Sequence, residues 1–254
     1  MTDLRLQDHY DRKYCHERTD PSELAPVPRT DQPTDRFEAV VNYFPCLFKG
    51  GSVLELGAGD GKVAKALLGL DIKIERYTVG DISRPRLERI PVALGDRRVA
   101  VKTLNAEDIS GEEENQYDAI IMVALIEHLI DPLGAMKSIR TLLKPGGFVY
   151  IDTPNIAKYT RRANLLLGRF PSTASRQEGL VTYDGLPVDL YDEGHLHYFT
   201  YSSLSTMLLS RCGFTRIRKL PYPCGKLLFG KTLESWLAHV WPTAFADLAI
   251  AAYR

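Results

Sequence analysis

The period of the apolar positions changes twice along the chain. Between Pro33 and Phe48 they fall at Phe37, Val40, Val41, Phe44 and Leu47. That spacing predicts a helix packed by one face, and Gly50 and Gly51 end it. From residue 52 short apolar runs alternate with helical ones. SVLELG, RYTVGD, RVAVKTL, YDAIIMV and FVYIDTP read as strands, with GKVAKALLGL and Asp131–Leu143 as helices between them. Asp131 supplies an N-cap, Pro132 suits the first helical position, and Lys144-Pro-Gly-Gly is a stop. YDAIIMV is almost wholly apolar, as expected of a strand covered on both faces. Beyond it, Ser202–Arg211 reads as a helix capped by Ser202 or Ser203 and stopped by Gly213. FTRIRKL is a sixth strand, Gly230–Val240 a helix and FADLAIAAY a closing seventh strand. Strands alternating with helices imply right-handed crossovers and a doubly wound, mostly parallel α/β sheet.

Two stretches stand outside this alternation. Residues 1–50 form a helical arm: residues 1–34 are polar, open with a short helix and carry Pro21, Pro26, Pro28 and Pro33, and the Pro33–Phe48 helix ends the arm. The main domain is expected over 51–254. Within it, residues 155–199 interrupt the pattern, and so long a connection is more often functional than idle. We expect it to form, with the arm before residue 50, a lid over a substrate. Lys158, Arg161, Arg162, Arg169 and Arg176 interleave there with Tyr159, Phe170, Tyr183, Tyr191, Tyr198 and Phe199. Such a surface suits an anionic or ring-containing acceptor, such as a sugar nucleotide, a glycan or a phenol. LLLGRF near residue 168 reads alternatively as a membrane-surface or partner-docking patch.

Composition narrows the class. Among 254 residues, 32 Lys and Arg balance 32 Asp and Glu, so the net charge is zero and a nucleic-acid partner is not expected. No apolar run has the ~18 residues of a membrane span, and the N-terminus lacks the apolar core of a secretory signal. Cys15, Cys46, Cys212 and Cys224 are scattered without a C-x-x-C pair. A cytoplasmic protein with reduced thiols is expected.

The strongest chemical signal is VLELGAGDGKVAKAL, residues 53–67, with Gly57, Gly59 and Gly61 between a strand and a helix. Glycines there admit a ligand close to the backbone, and the helix start offers free N–H groups. The order is G-x-G-x-G with Glu55 two residues ahead. A dinucleotide fold uses G-x-G-x-x-G, so a nicotinamide-dependent oxidoreductase is disfavoured. Asp81 closes the second strand, placed to accept ribose hydroxyl protons, and Asn105-Ala106-Glu107-Asp108 follows the third, placed to meet an adenine edge. All three segments fall at the carboxyl ends of strands, where open α/β sheets bind ligands.

With ELGAGDG, Asp81, NAED, YDAIIMVALIEHLIDP, LLKPGGFVYIDTPN and HLHYFTYSSLSTMLLSRCGF, the chain resembles the class I S-adenosylmethionine-dependent methyltransferases over about residues 50–254. It is most similar to the branch containing the ubiquinone-biosynthesis O-methyltransferases. The resemblance implies a Rossmann-like seven-stranded sheet with an antiparallel last strand, and S-adenosyl-L-methionine as cofactor. Carried over, Glu55, Gly57 and Gly59 line the methionine end, Asp81 binds the ribose, and Ala106 with Glu107 meets the adenine. Ala58, Ile82, Asn105 and Val123 complete the implied cofactor set. Asn105 stands where such proteins often have Asp.

A second cluster holds the candidate catalytic residues His128, His195 and His197. Methyl transfer to a hydroxyl needs a base for its proton, and histidine titrates near working pH. His128 follows the fourth strand. His195 and His197 share one face if GHLHYFT is extended; a latch holding the insertion is the structural alternative. Small-RNA 2′-O-methyltransferases use E-x-x-E-H and a distant histidine to hold a divalent metal. By that resemblance Glu127, His128 and His195 match three ligands, but Ala124 occupies the first glutamate position. A hard-cation site is thereby weakened and a metal is not expected, although a softer site remains chemically possible. The sequence therefore favours an O-methyltransferase acting on a small molecule or glycan precursor. Its alternatives are an RNA 2′-O-methyltransferase and a non-catalytic, cofactor- or partner-binding relative, which Asn105 and Ala124 would permit.

Overall fold

The computed structural model describes residues 7, 8, 10–12, 24–90, 94–173, 194–225 and 227–254. In chain order the elements are α1 (Arg36–Leu47), β1 (Gly51–Leu56), α2 (Lys62–Leu68), β2 (Ile74–Asp81), α3 (Arg84–Leu87), β3 (Val99–Thr103) and β4 (Tyr117–Val123). A 3-10 turn over Ile126–His128 leads to α4 (Pro132–Leu142), β5 (Leu143–Thr153), α5 (Tyr159–Leu166) and α6 (Tyr201–Ser210). The chain closes with β6 (Arg216–Lys219), α7 (Lys231–Val240), α8 (Pro242–Phe245) and β7 (Leu248–Tyr253).

The strands form one seven-stranded sheet in the order β3-β2-β1-β4-β5-β7-β6. The first five are parallel, and β7 runs antiparallel to both β5 and β6. Alternation along the strands divides the core. Leu54, Ile120, Met122 and Val149 pack on one face with α4 and α6. Val53, Tyr77, Ile121 and Tyr150 pack on the other with α1 and α2. The chain leaves β1 towards β2 on one side and later fills the other side with β4. A crevice opens at such a reversal, outside the carboxyl ends of the strands.

The expected architecture is present, with several boundaries moved. Helix α1 starts at Arg36 because Asp35 caps it, accepting from Phe37 N and Glu38 N at 2.8 and 2.9 Å. Helix α6 is capped by Thr200, not by Ser202 or Ser203. Ser203 is instead the reciprocal partner three residues on, since its hydroxyl accepts from Thr200 N at 2.9 Å. The last strand begins at Leu248, because Pro242–Phe245 forms the separate turn of helix α8. Asp131 caps α4 with Pro132 following, accepting from Gly134 N at 2.9 Å. The expected opening helix falls only partly on described residues: 7, 8 and 10–12 are helical. Cys15, Pro21, Arg176, Tyr183 and Tyr191 lie outside the described residues.

Candidate active site

The glycine turn after β1 is a left-handed cradle: Gly57, Gly59 and Gly61 have φ of 68°, 58° and 80°. A Cβ on Gly57 would stand 2.9 Å from Leu125 Cδ1, so the turn is closed against the segment after β4. Asp81, at the end of β2, supports the turn. Its Oδ2 accepts from Gly59 N and its Oδ1 from Ser83 N, each at 2.9 Å. Burial pushes the Asp81 pKa up, against the pull of these two N–H groups. Each carboxylate oxygen has a second lone pair for a ligand hydroxyl. Ala58 is buried in the turn, donating to Gly80 O at 3.2 Å.

The next strand end is a compact Asx turn. Asn105 Oδ1 accepts from Glu107 N at 3.0 Å, and Glu107 Oε1 accepts from Asp131 N at 2.6 Å. Ala106 is buried between them. A cavity of about 330 Å³ opens here, lined among others by Gln7, Ile82, Leu104, Asn105 and Asp108. The amino-terminal arm reaches this edge, since Arg84 N donates to Asp11 Oδ1 at 2.9 Å and Lys65 Nζ to Leu24 O at 3.0 Å.

Glu55 sits deeper. Its side chain is buried and accepts from the Tyr77 hydroxyl at 2.7 Å. Burial pushes its pKa up to about 8, opposed by that hydrogen bond. In this structure Glu55 therefore braces the floor of the cradle through Tyr77. Val123 ends β4 in register with Asp152 of β5.

At the other half of the crevice, Ala124 adopts φ 51°. A non-glycine residue in that region costs on the order of 1–2 kcal/mol, and such strain clusters at functional sites. The backbone then folds into the 3-10 turn that presents Glu127 and His128. Glu127 is buried, and its Oε2 accepts from Thr153 Oγ1 at 2.9 Å. Its Oε1 has no hydrogen-bond partner among the described residues. Burial raises the Glu127 pKa, opposed by its own backbone N–H and by His195. His128 Nδ1 lies 3.1 Å from Gly194 O. A carbonyl only accepts, so Nδ1 carries the proton and Nε2 the lone pair.

His195 packs edge-on against His128, with ring centroids 4.7 Å apart, and its Nδ1 lies 2.6 Å from Thr173 Oγ1. Ligand atoms of Glu127, His128 and His195 all fall within 4.8 Å of one another. His197 stands apart from this cluster. Its Nε2 lies 3.2 Å from Ile130 O, while Leu196 N and His197 N both donate to Glu127 O. The segment 194–197 is thus clasped to the 3-10 turn by backbone, with His197 as part of the clasp.

Two residues of this half were not singled out from the sequence. Asp152 is buried at the end of β5, accepts from the Tyr222 hydroxyl at 2.8 Å, and has its pKa pushed up to about 8 by burial, against the pull of Arg36. Arg36, the first residue of α1, lies among Asp152, Tyr222 and Glu127. Burial opposes its charge, but these acidic neighbours outweigh burial and raise its pKa. A charged residue closing an apolar strand is the signal that marks Asp152; nothing local marks Arg36. Several cations of the insertion prove to be internal. Lys158 is buried and donates to Cys224 O, and Arg161 pairs with Asp247 at 3.0 Å.

A Cβ at Gly57 would press on Leu125 at 2.9 Å and one at Gly61 on Ile90 at 3.3 Å, whereas one at Gly59 would meet only Arg86 Nη1 at 3.6 Å, so the backbone at Gly59 is the part of the turn a nucleoside cofactor with a carboxylate end can approach. The methyltransferase domain family matches residues 29–219. A ubiquinone biosynthesis O-methyltransferase from Xanthomonas campestris pv. campestris (strain B100) is 28% identical over 106 residues, covering 42% of this chain and 44% of that protein. The equivalent enzyme of Acinetobacter baylyi is 28% identical over 110 residues with the same coverage, so the chain spans less than half the length of these relatives. Among solved structures, a SAM-dependent methyltransferase from Thermotoga maritima superposes with a TM-score of 0.52 at 18% identity, covering 98% of this chain and 96% of that one. The CurJ carbon methyltransferase gives 0.52 at 20% identity, covering 81% and 48%. By the family match over three quarters of its length, the chain belongs to the methyltransferase domain family, and its fold is that of the solved S-adenosylmethionine-dependent methyltransferases.

Proposed function

We propose that the chain transfers a methyl group from S-adenosylmethionine to a hydroxyl of a small molecule or glycan precursor. The observation that carries this reading is the contact between the two halves of the crevice: Leu125, in the strained segment that leads to His128, closes against Gly57 of the glycine cradle. The ubiquinone-type relatives support oxygen as the methylated atom; the carbon methyltransferase among the structural neighbours marks the competing choice.

Gly57, Ala58 and Gly59 would hold the methionine end of the cofactor, Asp81 and Ile82 the ribose, and Asn105, Ala106 and Glu107 the adenine. When bound, that cofactor supplies an electrophilic methyl on a sulfonium, already activated for displacement. The chain's own residues then position the acceptor and accept its proton. His128 Nε2 takes the hydroxyl proton while Nδ1–H stays on the Gly194 carbonyl, which fixes the ring. His195 supports that ring from its edge. Arg36, flanked by Asp152 and Glu127, keeps this half of the crevice polar.

The grouping of Glu127, His128 and His195 favours a second reading, in which these residues hold a divalent cation. One assay separates the two: transfer of labelled methyl to a panel of phenolic and sugar hydroxyls, with and without chelator. Labelled product at an unchanged rate under chelation supports the metal-free base. Activity abolished by chelator and restored by added cation supports the second reading. Label on carbon or nitrogen overturns the O-methyl assignment.

A further inference from the structure

Helix α7 is turned inside out. It buries Glu234, Ser235 and Ala238 and leaves Leu233, Trp236 and Val240 exposed at 46, 59 and 63%. The buried Glu234 is held by the Tyr159 hydroxyl at 2.8 Å. Tyr159 opens α5, and its ring lies against Phe229 and Phe245, with centroids 5.7 and 4.9 Å apart. Helix α5 is thereby fastened to α7 and α8. It buries none of its residues, and at its end Leu165, Leu166 and Leu167 are exposed at 65, 87 and 68%. Apolar exposure on this scale marks an interaction surface.

The kind of partner follows from two features. Three consecutive leucines on a helix end point about 100° apart, so they surround the tip and do not form one stripe. A protein groove grips one face of a helix; a hydrocarbon layer accepts a tip on every side. The charge is also one-sided. Residues 156–173 contain four cations and no acid, and residues 225–245 contain Lys226, Lys231 and one acid, the buried Glu234. Lys158 and Arg161 are engaged internally, whereas Arg169 and Lys231 are exposed, as is Arg162, whose guanidinium donates to the Ala157 and Thr243 carbonyls. Exposed leucine and tryptophan bordered by cations is the composition of a helix lying in an anionic bilayer interface.

We infer that α5 and α7 dock the protein on an anionic lipid surface, with the Leu165–Leu167 tip inserted. The test is flotation of the full chain with phosphatidylcholine vesicles, with and without phosphatidylglycerol, at low and high salt. Leu166→Asp and Trp236→Asp are compared with the parent, and unchanged affinity for S-adenosylhomocysteine shows that each variant is folded. The expected result is binding that needs phosphatidylglycerol, weakens with salt, and drops about tenfold or more in each variant. No association with anionic vesicles would overturn the inference. So would a dimer in solution that either variant dissolves, which would make this face an interface between copies.

Discussion

On the β2–β3 side of the crevice, the turns are held mainly by close neighbours: Asn105 by Glu107 two residues on, and Asp81 by Ser83 two residues on, with Gly59 reaching Asp81 across 22 and Asp131 reaching Glu107 across 24. On the β4–β5 side the partners are remote. Thr153 meets Glu127 across 26 residues, and His128 meets Gly194 across 66. The first side is mainly turn backbone, so its geometry is formed as soon as the strands pair. The second is a cluster of side chains that exists only when the segment after the insertion returns to Glu127 O. Cofactor affinity should therefore be separable from turnover.

The largest effect expected of such a separation is at His128. His128→Ala should lower kcat by about 10²–10⁴ while S-adenosylhomocysteine affinity stays within about threefold. If affinity falls in parallel, the residue shapes the cofactor side as well and the two halves are one unit. Next is Asp81→Ala, which removes two charge-assisted bonds to Gly59 and Ser83 together with the proposed ribose contacts. Cofactor affinity should drop about 100-fold; a drop under threefold would detach Asp81 from the cofactor. A smaller contrast divides the paired histidines. His195→Ala should slow turnover about tenfold. His197→Ala, losing a bond to Ile130 O, should leave turnover within about threefold and lower Tm by a few degrees. Equal rates for the two variants would place both in the clasp.

The smallest effect is a pH dependence of stability. Folded Glu55 keeps its proton up to about pH 8, against an ordinary value of 4.5. Between those values the unfolded chain binds fewer protons, so this contribution is complete at the acid end and is lost as pH rises towards 8. Thermal melts should fall by about 2–4 °C per pH unit across that window. Glu55→Gln should flatten the slope, and an unchanged slope would assign it to other groups such as Asp152.

The same contrast explains what was legible in the sequence. The strands, the glycine turn, Asp81 and the Asn105–Glu107 turn are local patterns, readable from period and spacing. The grouping of His128 with His195 is implied by the resemblance to the small-RNA 2′-O-methyltransferases and not by distance along the chain. Arg36 beside Asp152 had no local signal, because α1 and β5 meet only in the folded sheet. Lys158 and Arg161 read as lid cations because their partners, Cys224 O and Asp247, lie 66 and 86 residues away. The LLLGRF patch is exposed as its composition suggests, but the inversion of α7 is visible only once Glu234 is seen buried.

The central claim is that the glycine cradle and Asp81 form a working cofactor site. Calorimetric titration of S-adenosylhomocysteine into the full chain tests it most directly. Saturable binding near one equivalent, with a micromolar Kd and about 100-fold loss in Asp81→Ala, is the predicted result. A folded chain that binds neither S-adenosylhomocysteine nor S-adenosylmethionine would contradict the account and leave the roles of His128 and His195 without a reaction to serve.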